Sequence, residues 1–179
     1  MKIQTISTVI AATILLVGCD KQNTSSGTSS SPAEEQGRAT SAAPVAQAAM
    51  SAWQQGDEST AVSSFLAADW SARPLFASDS VLSLTEDQFK SLSDTDRQSK
   101  SGEMKMIKQL GSFMRLGVAV AQAGRDAASK GDTAQAQKSF TSLKQCGAAL
   151  SSPDRMSHVQ LIGRTFSKMA DTELSKIGK

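Results

Sequence analysis

From Pro44 to the C-terminus, apolar residues recur at three- and four-residue steps, and no stretch alternates as a strand would. The pattern predicts an all-α domain over residues 44–179. Val45, Ala48, Ala49 and Ala52 form a first stripe that stops at Gly56. Asp57 is placed to cap a second helix, with Ala61, Phe65 and Ala68 on its inner face. Pro74 falls in the loop that follows. Thr85 and Gln88 make a T-x-x-Q capping box over a short helix holding Phe89 and Leu92, and Ser93 or Asp94 caps a new start. The longest segment runs from about 95 to 130, with Met106, Leu110, Phe113, Gly117, Val120, Gly124 and Ala127 in register. As one helix it would be on the order of 50 Å long, with Gly111 and Gly117 as places for a kink. Gly131 ends it, and Asp132 caps a helix running to about Ser151 on a stripe of Ala136, Phe140, Leu143, Gly147 and Leu150. Pro153 opens the last helix, which turns Val159, Ile162, Phe166, Met169 and Ile177 inward.

Small residues carry a second signal. Gly117, Gly124 and Gly131 are seven apart, with Ala121 and Ala128 between them. A mid-helix glycine costs about 0.8–1 kcal/mol relative to alanine, so a neighbouring helix is expected to come close there. Gly147 and Gly163, inside the next two helices, are candidates for the same seams. The pattern Gly56-Asp57-x-x-x-Ala61-x-x-x-Phe65 returns as Gly131-Asp132-x-x-x-Ala136-x-x-x-Phe140. It resembles the turn and second helix of a tetratricopeptide repeat. Ala123, Gly124 and Ala127 stand where that repeat places small first-helix residues, as do Ala48, Ala49 and Ala52 in the other copy. The copies lie 75 residues apart rather than the roughly 34 of a tandem array, and Pro74 and Pro153 are displaced from the repeat's proline. Helical hairpins are implied either way, with a tetratricopeptide-like architecture and a generic helical bundle both open.

Two segments precede the domain. After Lys2, residues Ile6 to Val17 are apolar apart from hydroxyl side chains. The run is shorter than the roughly 20 residues of a membrane span and fits the apolar stretch of an export signal. It ends Leu16-Val17-Gly18-Cys19, which resembles the lipobox of bacterial lipoproteins. The resemblance implies a signal peptide over 1–18, cleavage between Gly18 and Cys19, a diacylglyceryl thioether at Cys19 and acylation of the freed amine. The partner so implied is membrane lipid, reached through acylated Cys19. Asp20 resembles the inner-membrane retention signal of enteric lipoproteins, with outer-membrane attachment as the alternative. An ordinary secretory signal or a short helical anchor are the competing readings of the same run. Residues 19–43 read as a lipidated, disordered linker. From Lys21 to Ala43 the chain is rich in Ser, Thr, Gly and Gln and holds too little apolar surface to offset the entropy of ordering. Its expected reach is roughly 25 Å.

Composition narrows the chemistry. Aromatics make up 4% of the chain and Tyr is absent, so the core must be built from Ala, Leu, Met, Val and a few Phe, which argues against a β-sandwich or barrel. A net charge of +2 gives no strong pull toward nucleic acid. One His and two Cys exclude most His/Cys metal cages and any disulfide-dense scaffold. Cys146 and His158 could meet across the Pro153 turn as nucleophile and base, against the plainer reading of a core thiol. Met104, Met106, Met114 and the Met156/His158 pair invite comparison with copper ligands, against adaptable core packing. Glu86 with Asp87, and Asp94 with Asp96, are carboxylate pairs that also suit helix starts. Lys105, Lys108, Arg115, Arg125 and Lys130 make the outer side of the long helix basic, either a solvated face or one turned to anionic lipid. Trp53 and Trp70 are core or rim residues, or, if exposed, anchors for partner binding. No metal or cofactor is expected, and no enzyme. These features point to a lipid-anchored cell-envelope protein, on the periplasmic or extracytoplasmic face, whose helical domain binds a protein or peptide in a groove lined by Ala, Met and Trp. The alternative is a small-ligand-binding or structural lipoprotein.

Overall fold

Two Gly-Asp turns organise the helices. In the computed structural model, which describes residues 43–95 and 103–177, the chain forms α1 (Gln47–Gln54), α2 (Glu58–Ala67), a 3-10 turn (Val81–Ser83), α3 (Glu86–Ser91), α4 (Glu103–Ser129), α5 (Thr133–Leu150) and α6 (Ser157–Leu174). The described residues are all-α. Asp94 and Thr95 also carry helical backbone. The lipobox, Cys19, the linker and Asp96 lie outside the described residues.

At the first turn Gly56 adopts φ +80°, a conformation that glycine reaches without steric cost. The Gly56 N–H donates to the Trp53 carbonyl and the Asp57 N–H to the Ala52 carbonyl, the paired bonds of a Schellman motif. The Asp57 side chain then accepts from the Thr60 N–H at 3.0 Å and caps α2, so one residue closes one helix and opens the next. That bond holds the Asp57 carboxyl below the usual carboxylate range. The second turn repeats each step. Gly131 has φ +78°, its N–H donates to Ala128, the Asp132 N–H donates to Ala127, and the Asp132 carboxylate accepts from the Gln135 N–H. Behind both caps the Ala and Phe of the repeat are buried: Ala61 with Phe65, and Ala136 with Phe140. The two αα-turns are thus equivalent in geometry as well as in sequence.

The glycine seams form as expected. A Cβ on Gly117 would collide with the Phe166 ring, and one on Gly124 would stand 2.7 Å from the Phe140 ring. Gly147 and Gly163 face each other across the α5–α6 crossing, where a Cβ on Gly163 would stand 2.6 Å from the Gly147 carbonyl oxygen. Helix α4 is continuous through Gly111 and Gly117. At 27 residues it is about 40 Å long.

Several expectations need correction. Ala48 is exposed, and Ala46 takes its place in the core because the α1 stripe runs through Ala46, Ala49 and Ala52. Ala68 is the C-cap of α2, only half-buried. The last helix begins at Ser157, not Pro153. Residues 154–156 instead lie extended against 84–86: the Glu86 N–H donates to the Asp154 carbonyl, the Met156 N–H to the Leu84 carbonyl, and Thr85 and Arg155 form an isolated bridge. That pairing holds Met156 in an extended conformation and delays the helix. The segment after α2 also contributes more core than its polar sequence suggests. Leu75, Phe76, Val81 and Leu82 are all buried, and the chain returns to the start of α1 through Val45 N–H to Pro74 O and Ala46 N–H to Leu75 O, both 2.9 Å.

Candidate functional site

An open depression lies where α1, residues 76–84 and the first turns of α4 meet. It has two lobes. One, of about 250 Å³, is walled by Gln47 and Met50 of α1, Phe76, and Gln109 of α4. The other, of about 390 Å³, is walled by Val81, Leu84 and Leu92. Asp79, Ser80 and Lys105 border both lobes. Asp79 and Lys105 are exposed and place opposite charges at the rim. The ridge between the lobes is fixed by hydrogen bonds. Gln109 Oε1 accepts from the Val81 N–H at 3.1 Å and from the Ser80 hydroxyl at 3.4 Å, while Ser80 Oγ accepts from the Leu82 N–H at 3.2 Å. The apolar walls of the second lobe, the polar backbone on the ridge and the charges at the mouth suit one apolar side chain of an extended segment.

The floor is braced from the far side. Arg155 donates from Nη1 to the Leu82 carbonyl at 3.2 Å. Glu86 Oε2 accepts from the Ser157 N–H at 2.8 Å, which supplies α6 with the cap that its own N-cap residue, Met156, does not provide. This bond depresses the Glu86 carboxyl below its ordinary range, with Lys90 adding a smaller effect.

The residues singled out from sequence fall in different places. Gly18 and Cys19 lie outside the described residues. Trp53 is half-buried at the end of α1. Trp70 is 2% exposed and belongs to the core, so it offers no surface ring to a partner. Its Nε1 donates to the Phe65 carbonyl and to Ser142 Oγ, both at 3.2 Å, and its ring meets Phe65 at 4.6 Å. It is buried because an indole that finds acceptors inside loses nothing by leaving water. Trp53 and Trp70 do not converge on the cleft. Of the Ala, Met and Trp foreseen as groove lining, Ala46, Ala77 and Met50 are present.

Cys146 is wholly buried, and desolvation pushes its thiol well above its ordinary value. His158 is on the exposed side of α6, and no hydrogen bond joins the two. Met156 is fully buried and Met106 and Met114 are half-buried in the packing. No group of three His, Cys, Asp or Glu among the described residues could hold a metal ion. Glu86 and Asp87 occupy the first turn of α3, where negative charge complements the helix dipole. Periodicity did not foresee Gln109, Asp79, Ser80 or Leu84 as site residues. The only signal available was the Ser-rich run ending in Val81-Leu82, an apolar pair without helical phase.

No protein-family model matches the chain, and no curated protein or solved structure is significantly similar to it. No helix among the described residues is long and apolar enough to cross a membrane.

Proposed function

We propose that this is a lipid-anchored protein of the bacterial cell envelope whose helical domain is an interaction module for a protein or peptide. The observation that carries the reading is the order of three segments in one chain: the lipobox Leu16-Val17-Gly18-Cys19, a polar stretch to residue 43, and a helical domain beginning at Gln47. Acyl chains on Cys19 would hold the chain to the bilayer, each buried methylene contributing about 0.8 kcal/mol, so that two or three chains anchor stably. Asp20 favours the inner membrane. The cleft between α1, residues 76–84 and α4 is the receiving surface, taking an apolar side chain of an extended segment between the rim charges of Asp79 and Lys105.

The test places a photo-reactive amino acid at Met50 or Leu84 in the full-length protein in a bacterial host, with Lys138 as a control position. A discrete cross-linked adduct at both cleft positions and not at Lys138 supports the module. Loss of that adduct, together with release from the membrane fraction in Cys19→Ser, supports the anchor. Equal labelling at all three positions, or unchanged fractionation of Cys19→Ser, contradicts the reading.

A further inference from the structure

The three large apolar side chains most exposed among the described residues are Ile107 (55%), Val118 (45%) and Leu161 (58%), on α4 and α6. The two helices run in the same direction side by side, because Phe113 meets Phe166 at 5.8 Å and, further along both, Arg125 Nη1 reaches Glu173 Oε1 at 3.4 Å. Ile107 precedes Arg125 by eighteen residues, about five turns, so it lies in line with Arg125 on the flank of α4 nearest α6. Val118, seven residues before Arg125, shares that flank. Leu161 stands on the exposed side of α6.

Basic residues predominate around these side chains, with Glu103, Asp126 and Asp171 just outside the stretches that carry them. From Met104 to Arg125 the chain has four basic residues and no acidic one, and from Met156 to Ala170 it has Arg164 and Lys168 and again no acidic residue. Lys108, Arg115, Arg164 and Lys168 are all exposed, and none is in an ion pair with a described residue. Apolar side chains standing among unpaired basic groups, without acidic ones between, match a surface that enters the headgroup layer of an anionic bilayer. The point of attachment agrees. Ala46 and Gln47, at the head of the domain, line the same lobe as Lys105 in the first turn of α4, so the chain enters the domain near the N-terminal end of α4.

We infer that the outer faces of α4 and α6 form a docking surface for the anionic bilayer to which the chain is tethered, with Ile107, Val118 and Leu161 entering the headgroup layer and Lys108, Arg115, Arg164 and Lys168 binding lipid phosphates. The inference rests on the anchored reading above and adds an orientation to it. Tethered through Cys19, the domain would stay near that surface at high effective concentration. Each basic residue near an anionic surface strengthens attachment about fivefold, and salt screens the effect.

The test uses the membrane-purified protein reconstituted in vesicles of phosphatidylcholine alone, and of phosphatidylcholine with about 30% phosphatidylglycerol. Amine acetylation is followed lysine by lysine. Lys108 and Lys168 should acetylate about fivefold or more slowly on the anionic vesicles, with Lys90 and Lys138 unchanged. Half-molar salt should remove the protection, as should Arg115→Glu with Arg164→Glu, whereas Lys138→Glu should not. Equal rates on both vesicles overturn the inference, as does uniform slowing of all lysines. So does protection that appears on neutral vesicles only when envelope proteins are added, because a protein then covers the face. The intact mass of the same preparation reports separately on Cys19. A lipidated protein without lysine protection keeps the anchor and loses the docking face. If Cys19 is unmodified the anchor fails, and the same lysine comparison with vesicles added from outside still decides the face.

Discussion

Gly147 sits where α5 and α6 come closest, and replacing it with alanine sets two opposed effects against each other. Alanine is the better helix former by about 0.8–1 kcal/mol. The added Cβ, however, would stand 2.5 Å from Ser167 Oγ, 2.7 Å from the Gly163 carbonyl oxygen and 2.8 Å from the Ser167 nitrogen. Two of these are backbone atoms, which cannot swing away, so α6 must withdraw by several tenths of an ångström along a buried seam. Overpacking of this kind costs about 1–3 kcal/mol, and contact with backbone puts it at the upper end. The net expectation for Gly147→Ala is a loss of about 1–2 kcal/mol, or a fall in Tm of roughly 3–8 °C. Gly111→Ala is the internal control. It lies inside α4 with nothing within 4 Å of the new Cβ, so the propensity gain stands alone and Tm should rise by a few degrees. The same substitution thus has opposite signs at two helical glycines. Gly163→Ala probes the seam from the other side, and the double variant should cost less than the sum, because the helices part only once. Urea and thermal unfolding of the four proteins decide it. A rise in Tm for Gly147→Ala comparable to that of Gly111→Ala would refute the close crossing.

Three further outcomes follow from the geometry. Trp70→Phe keeps an aromatic ring but removes the indole N–H from the Phe65 carbonyl and Ser142 Oγ, which remain bonded to each other at 3.2 Å, and should lower the unfolding free energy by about 0.5–1.5 kcal/mol in urea. Cys146 should resist alkylation in the folded protein, because its thiol is buried and kept protonated, and react fully in denaturant; rapid native-state labelling would contradict its placement. Glu86 has its pKa lowered on folding, chiefly by accepting the Ser157 N–H, so its contribution is complete above the ordinary glutamate value and fades as pH falls through the depressed one. Glu86→Gln should therefore flatten that acidic limb of the stability profile, read as Tm against pH, and an unchanged limb would show that the cap is not formed.

The legible part of this fold is local chemistry. The turn at Gly56-Asp57 and its counterpart at Gly131-Asp132 could be read directly, because a positive-φ glycine and a capping carboxylate act within a few residues of themselves. The stripe of α5 was legible for the same reason, since every residue on it is buried. The seams at Gly117, Gly124, Gly147 and Gly163 showed as an unexplained propensity cost, though which helix fills each could not be read from one helix alone. What escaped depends on distant partners. Trp70 is buried by Ser142, 72 residues away, and α6 begins late because residues 84–86 pair with 154–156. The cleft was illegible because Val81, Leu84 and Leu92 share no continuous helix, and only folding brings them beside Met50 and Gln109. The basic side of α4 was visible as a pattern, but its continuation onto α6 required knowing that the two helices run parallel.

The account depends most on the fate of the Cys19 sulfur, and mass spectrometry of the N-terminal peptide from protein purified out of bacterial membranes reads it directly. The expected product begins at Cys19 and carries a diacylglyceryl thioether with an acylated α-amine. A peptide that retains Met1, or one with a free thiol at position 19, would contradict the anchored reading and leave a helical domain without an address.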